Sequence, residues 1–291
     1  MVKHRLFVAF VSLPVLLAAT GLSACTDDGE SSSANAASSS ESETSTASAD
    51  VTPAAETTGS SELPQGDDPV DLDPADFTTT IDNPYFPLVP GTRLTYRELD
   101  EKGNKVKVVV IVTRKTKEIA NGIEARVVRD TVTENGELIE DTFDWYSQDS
   151  EGNVWYMGEN TAEFKNGKIT TKEGSFEAGV DGALPGIIMP ADPQPGVAFR
   201  QEYYKGEAED NGEILSTEEM VDVPIGHFDD VLMTKDTITI EPDVLEFKLY
   251  ARDVGMVLAL GISGGGGREE LVKKDKVSGA AGTGPLGTPN P

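Results

Sequence analysis

Cysteine is almost absent from this sequence. One occurs in 291 residues, Cys25, so disulfides within the chain, CxxC redox chemistry and thiolate metal clusters are excluded. Histidine is nearly as scarce. His4 lies in the opening basic segment, so any His-based triad must use His227, and zinc or copper sites are poorly supplied. Positive charge is also short: 24 Lys and Arg stand against 51 Asp and Glu, a formal charge of −27. No basic stripe is visible along the chain, which argues against nucleic-acid partners and against tight docking on anionic lipid. Long apolar runs are missing too. The longest, Leu6–Leu22, is too short and too poorly flanked for a stable membrane span.

That run has a specific setting. It follows the basic opening MVKHR and ends at Leu22-Ser23-Ala24-Cys25. Small residues directly before a cysteine resemble the lipobox of bacterial lipoprotein signals, in which the thiol receives a diacylglycerol before cleavage. The resemblance implies a signal peptide over residues 1–24 and a lipidated Cys25 carrying palmitate-type chains. It also implies a mature protein partnered with the membrane through that lipid, on the extracytoplasmic face. Two chains, at about 0.8 kcal/mol per buried methylene, anchor stably where one does not. From Thr26 to Asp76 there are thirteen acidic residues and no Lys or Arg. Such a segment cannot bury enough apolar surface to offset chain entropy, so residues 25–76 read as a disordered acidic tether spanning roughly 40 Å. Residues 277–291, VSGAAGTGPLGTPNP, read as a disordered tail. Between them, residues 77–276 are sized for a single β-rich domain.

The pattern within that domain is mainly β. Asn-Gly, the dipeptide of tight hairpin turns, recurs at Asn121-Gly122, Asn135-Gly136, Asn166-Gly167 and Asn211-Gly212. Between and beyond these turns lie β-branched and aromatic runs such as TRLTYREL, KVKVVVIVTRKTKEI, VLEFKLYAR and MVLALGI. In Leu245–Leu249 apolar residues alternate with charges, as on a strand with one wet face. This predicts a curved antiparallel meander sheet, a half-barrel or partly closed barrel, with few short helices at Asp73–Phe77 or near Ser216–Glu219. One long Gly/Pro-rich segment, Ala178–Gly196, carries Ile187, Ile188 and Met189 at its centre. It reads either as a lid or plug over one end of the sheet or as a staple between strands.

The stretch DTFDWYSQDSEGNVWYMGE, Asp141–Glu159, has the look of a calcium loop. The register fails. With Gly152 at the obligatory glycine, the bidentate acid belongs at Gly158, one residue before Glu159. A hairpin turn over Asp149–Gly152 fits better and pairs Tyr146 with Trp155 and Trp145 with Tyr156. Aromatics then occupy both faces, and the second set is either covered by other structure or offered to a ligand. The candidate ligand-binding residues are therefore Trp145, Trp155, Tyr146, Tyr156 and Asp144, with Ile187 and Met189 from the long segment.

Catalytic signatures are thin. Asp141, Asp144, Glu159, Glu202 and Glu246 could supply a glycosidase-type carboxylate pair, but residues 77–291 hold 38 acidic side chains and none is distinctive. Ser263-Gly264-Gly265-Gly266-Gly267 is followed by no lysine and reads as a hairpin loop, and His227 sits in a Pro/Gly turn. No catalytic residue, metal or cofactor is indicated.

Three short segments together resemble a loosely defined group of bacterial secreted and lipid-anchored β-sheet proteins without assigned activity. They are Phe86-Pro87-Leu88-Val89-Pro90-Gly91-Thr92, Val223-Pro224-Ile225-Gly226-His227-Phe228, and Tyr250 with Val254-Gly255-Met256-Val257. Leu94 and His227 depart from the group, which has a tryptophan and a small hydroxyl residue there. The resemblance implies a curved antiparallel sheet and brings no catalytic residues. The functional expectation is a non-enzymatic, envelope-associated protein binding a small molecule, lipid or glycan. A glycan hydrolase and a purely structural surface protein are the alternatives.

Overall fold

The computed structural model describes residues 63–99 and 103–288. The signal segment, Cys25 and the acidic tether up to residue 62 lie outside the described residues.

The first strands are β1 (Phe77–Thr78), β2 (Thr92–Leu99), β3 (Lys105–Glu118), β4 (Glu124–Glu134), β5 (Glu137–Asp149) and β6 (Val154–Lys165). Two short excursions, β7 (Lys168–Thr171) and β8 (Phe176–Glu177), precede β9 (Leu184–Met189). The chain finishes with β10 (Ala198–Tyr204), β11 (Ala208–Val223), β12 (Gly226–Ile238), β13 (Glu241–Ala251), β14 (Gly255–Ser263) and β15 (Arg268–Lys276). Every pairing is antiparallel. The order β5-β4-β3-β2-β15-β14-β13-β12-β11-β10-β9-β6 returns to β5, so twelve strands close into a barrel. Local chemistry explains the hairpins. Asn135 and Gly136 both have positive φ, 50° and 89°, which is why this dipeptide turns β4 into β5.

Closure exceeds the half-barrel expected. The reason is β9, which lies inside the segment expected to form a lid, plug or staple. It is a barrel strand between β6 and β10. Its Gly/Pro content hid it, and the glycine has a steric purpose: a Cβ at Gly186 would stand 2.3 Å from the Gln201 backbone of β10. Asn211-Gly212 departs from expectation too. It lies within β11, where a Cβ at Gly212 would meet the Phe199 ring at 2.6 Å. Ser216–Glu219 is strand as well, and of the two expected helices only a 3-10 turn at Pro74–Asp76 forms.

Three segments pack on the barrel. The one before β2 plugs one end: Phe86 packs on Tyr146 at 5.4 Å and on Tyr250 at 6.4 Å, rings that belong to strands far apart around the wall. Asn83 fixes this plug by donating to the Gly152 and Pro190 carbonyls, each at 3.1 Å. A second segment caps Arg200, whose guanidinium donates to the Gly66 and Asp68 carbonyls at 2.7 and 2.8 Å. The third is the tail expected to be loose. Residues 277–288 run along β4 and β5, where buried Arg129 pairs with Asp141 and donates to the Pro285 and Thr288 carbonyls. Its glycines let backbone carbonyls and amides approach the buried ion pair, as when Gly287 N–H donates to Asp141 at 2.7 Å.

Candidate functional site

The inner face of the barrel is polar. Four acid–acid pairs stand directly opposite one another across strands: Asp144 with Glu159, Glu202 with Asp210, Asp236 with Glu246, and Glu98 with Glu269. Like charges in that position destabilise a sheet, and burial adds to the cost. Electrostatic coupling crosses the lumen between strands that are not neighbours. Asp130 on β4 feels Glu269 on β15, Glu159 on β6 feels Asp210 on β11, and Tyr96 on β2 feels Tyr250 on β13.

Lys248 answers part of this charge on the inner face. It lies 2.8 Å from Asp236 and 3.2 Å from Glu246. Burial lowers its pKa, but the two carboxylates outweigh that and hold it well above the ordinary lysine value. The carboxyls elsewhere in the chamber move up. Burial pushes Asp144 to about 7 against the hydrogen bond from Tyr156. Burial and Asp144 raise Glu159, burial and Asp210 raise Glu202, and burial and Asp144 raise Asp130. The Tyr156 hydroxyl lies 2.9 Å from Asp144 Oδ1 and 3.1 Å from Glu159 Oε2. A phenol has one proton, so two such hydrogen bonds require a second proton on one carboxyl. Both oxygens of Asp130 and of Glu269, and the Tyr146 hydroxyl, are buried without a hydrogen-bonding partner among the described residues.

Two cavities lie near this chamber, one inside the barrel and one on its outer wall. The smaller, about 30 Å³, lies under the plug between Phe86, Leu88, Asp130, Asp144 and Tyr146. It has room for about one water. The larger, about 770 Å³, is an open groove on β2, β3 and β15 near the other end of the barrel, where Arg97, Leu99, Lys105, Lys107, Arg268 and Glu270 alternate with the inward-facing residues and so stand on the outer face. Tyr96 lines both, and Glu98 and Val106 join it in the larger one.

The expected site residues fall in different places. The turn is one residue longer than expected, closed by Asp149 and Asn153, so Tyr146 opposes Tyr156 and Ser147 opposes Trp155; a bulge beyond them then sets Trp145 opposite Gly158. This corrects both the expected pairs and the expected faces. Tyr146, Tyr156 and Asp144 are brought together inside the barrel, with the two rings stacked at 5.0 Å. Trp145 and Trp155 lie on the outer wall, each 7% exposed. Lys117 sits 4.2 Å over the Trp145 ring, and Phe77 packs edge-on against Trp155 at 6.1 Å. Ile187 and Met189 are fully buried on β9 beside β6. The turn itself is a corner: Asp149 accepts hydrogen bonds from the backbone N–H groups of Glu151, Gly152 and Asn153 and from the Trp155 indole.

Of the carboxylate candidates, Asp144, Glu159 and Glu202 share the chamber and Glu246 joins Lys248 on the same face. Asp141 is held outside by Arg129. His227 is half exposed in the β11–β12 turn, 2.9 Å from Asp222 and 3.2 Å from Asp229. Among the described residues no group of three or more His, Cys, Asp or Glu side chains is arranged to hold a metal. Sequence reasoning did not find Asp130, Glu269, Glu98 or Lys248. A usable signal exists: a charge two residues from a tyrosine, as in Tyr96/Glu98, Asp144/Tyr146 and Lys248/Tyr250, puts both on one face of a strand.

No protein-family model matches the chain, and no curated protein does. Two solved structures show remote likeness. One, from Bacteroides fragilis NCTC 9343, is described as an exported protein with a YmcC-like fold. It is 16% identical, covers 67% of this chain and all of its own, and has a TM-score of 0.41. The other, from Parabacteroides distasonis ATCC 8503, is described as a lipoprotein. It is 12% identical over 66% of this chain and 99% of its own, with a TM-score of 0.35. Likeness this low decides nothing about function, which rests on this chain's own residues.

Proposed function

We propose that this chain is a lipid-anchored, extracytoplasmic binding protein without catalytic activity, whose ligand occupies the groove on the outer face of β2, β3 and β15. The observation that carries the reading is the cavity itself. About 770 Å³ is within the range that small-molecule sites occupy, and apolar walls with a few polar groups are their usual form. The anchor is supported by the lipobox-like Leu22–Cys25 alone.

The alternative of a glycan hydrolase finds its acid pair in Asp144 and Glu159, which share one hydroxyl. It does not find a cleft, because the space beside Asp144 is about 30 Å³ and no sugar ring enters it. Native mass spectrometry of the chain purified from its producing host tests the binding reading. A stoichiometric non-protein mass, lost when Leu99→Glu replaces the exposed apolar side chain of the groove, is expected. An unchanged apo mass in both parent and variant contradicts it.

A further inference from the structure

The residues around the large cavity divide into two kinds. Its cations come from strands distant in sequence: Arg97 on β2, Lys105 and Lys107 on β3, and Arg268 on β15. Read along the chain they form no stripe; closing the barrel assembles one. Arg97 stands directly opposite Lys107, an arrangement that costs stability in an isolated sheet. Glu270 offsets part of this charge, 2.8 Å from Arg268 and 3.2 Å from Arg97. Lys105 and Lys107 are exposed, and their ammonium groups form no ion pair among the described residues. The second kind is apolar. Leu99 is 61% exposed between Lys105 and Arg268, its neighbours across the two flanking strands, and Val272 lines the groove with it.

We infer that this groove takes an anionic amphiphile: a phosphate- or carboxylate-bearing head held by Arg97, Lys105, Lys107 and Arg268, with an acyl-type chain on Leu99 and Val272. The inference rests on the binding reading above and adds the class of ligand. Charge complementarity is its main support. A chain with a formal charge of −27 gathers four cations around one groove, where they draw an anion. The apolar residues add the second requirement, since a bare anion gains nothing from an exposed leucine.

The test is calorimetric titration of the chain from Thr26 onward, which keeps every described residue and omits the apolar signal run. The probes are dihexanoyl phosphatidylglycerol below its micelle concentration, dihexanoyl phosphatidylcholine and inorganic phosphate. Saturable one-site binding of the glycerol lipid is expected, with much weaker binding of the other two. The double variant Lys105→Glu/Lys107→Glu, at exposed positions, weakens binding by roughly thirty-fold or more and leaves the melting temperature in place. Equal affinity for the choline lipid overturns the charge requirement, and equal affinity for inorganic phosphate overturns the amphiphile. No binding of any probe, beside a host-derived mass in native mass spectrometry, overturns the ligand class while leaving the binding reading standing.

Discussion

Raising the pH from 5 to 8 will destabilise this protein, and Asp144 accounts for a measurable part of the loss. Its carboxyl is pushed to about 7 in the fold, mainly by burial, against about 3.9 in an unfolded chain. Between those values the folded state keeps a proton that the unfolded state has released. Stability is therefore full below about pH 4, falls through the window and has lost its whole contribution above 7. The gap corresponds to at most about 4 kcal/mol. Asp130, Glu159, Glu202 and Glu269 are raised by burial as well and act in the same direction. Asp275 has the opposite sign, because the Arg93 hydrogen bond holds it down, and its contribution disappears only at lower pH. Exposed His227, raised chiefly by its hydrogen bond to Asp222, shares the sign of the chamber, so a control is required. Asp144→Asn supplies it: the amide still accepts from Tyr156 but does not titrate. Urea unfolding at pH 5, 6, 7 and 8 should show the parent losing stability and the variant losing clearly less. An identical slope in the two proteins, or a parent that gains stability with pH, refutes the reasoning.

Other consequences are local. Gly212→Ala drives a methyl into the Phe199 ring and should cost about 1–3 kcal/mol, read from the urea midpoint. Arg129→Met leaves Asp141 buried without its partner and should cost about 3–5 kcal/mol. In that variant residues 277–288 should also become cleavable in limited proteolysis under conditions where the parent resists. Phe86→Ala removes the plug from Tyr146 and Tyr250 and should cost about 3–5 kcal/mol in chemical unfolding. Trp145 and Trp155, each 7% exposed, should emit at short wavelength and resist iodide quenching; easily quenched, red-shifted emission would place a tryptophan at the surface.

Much of the strand pattern was legible because β-branched runs and turn dipeptides act locally. TRLTYREL coincides with β2, and KVKVVVIVTRKTKE with β3. Closure was not legible, since it depends on β6 pairing with both β5 and β9, a contact no local signal encodes. The sidedness of strands was hidden for a related reason. In Leu245–Leu249 alternation is plain, but the charged residues Glu246 and Lys248 face the interior. A period of two fixes which residues share a face and leaves open which face is buried. The aromatic hairpin shows the limit in one residue: a turn one residue longer than expected, closed by Asp149 and Asn153, moves Tyr156 from the tryptophan's face to the tyrosine's. The basic groove has the same origin, because Arg97, Lys107 and Arg268 meet only across strands.

The most direct test of the binding reading is a crystal structure of the chain purified from its host. Non-protein density is predicted in the groove on β2, β3 and β15, in contact with Leu99 and within hydrogen-bonding distance of Lys105 or Arg268. A groove filled by this chain's own side chains, in a protein that co-purifies with no other mass, would contradict it.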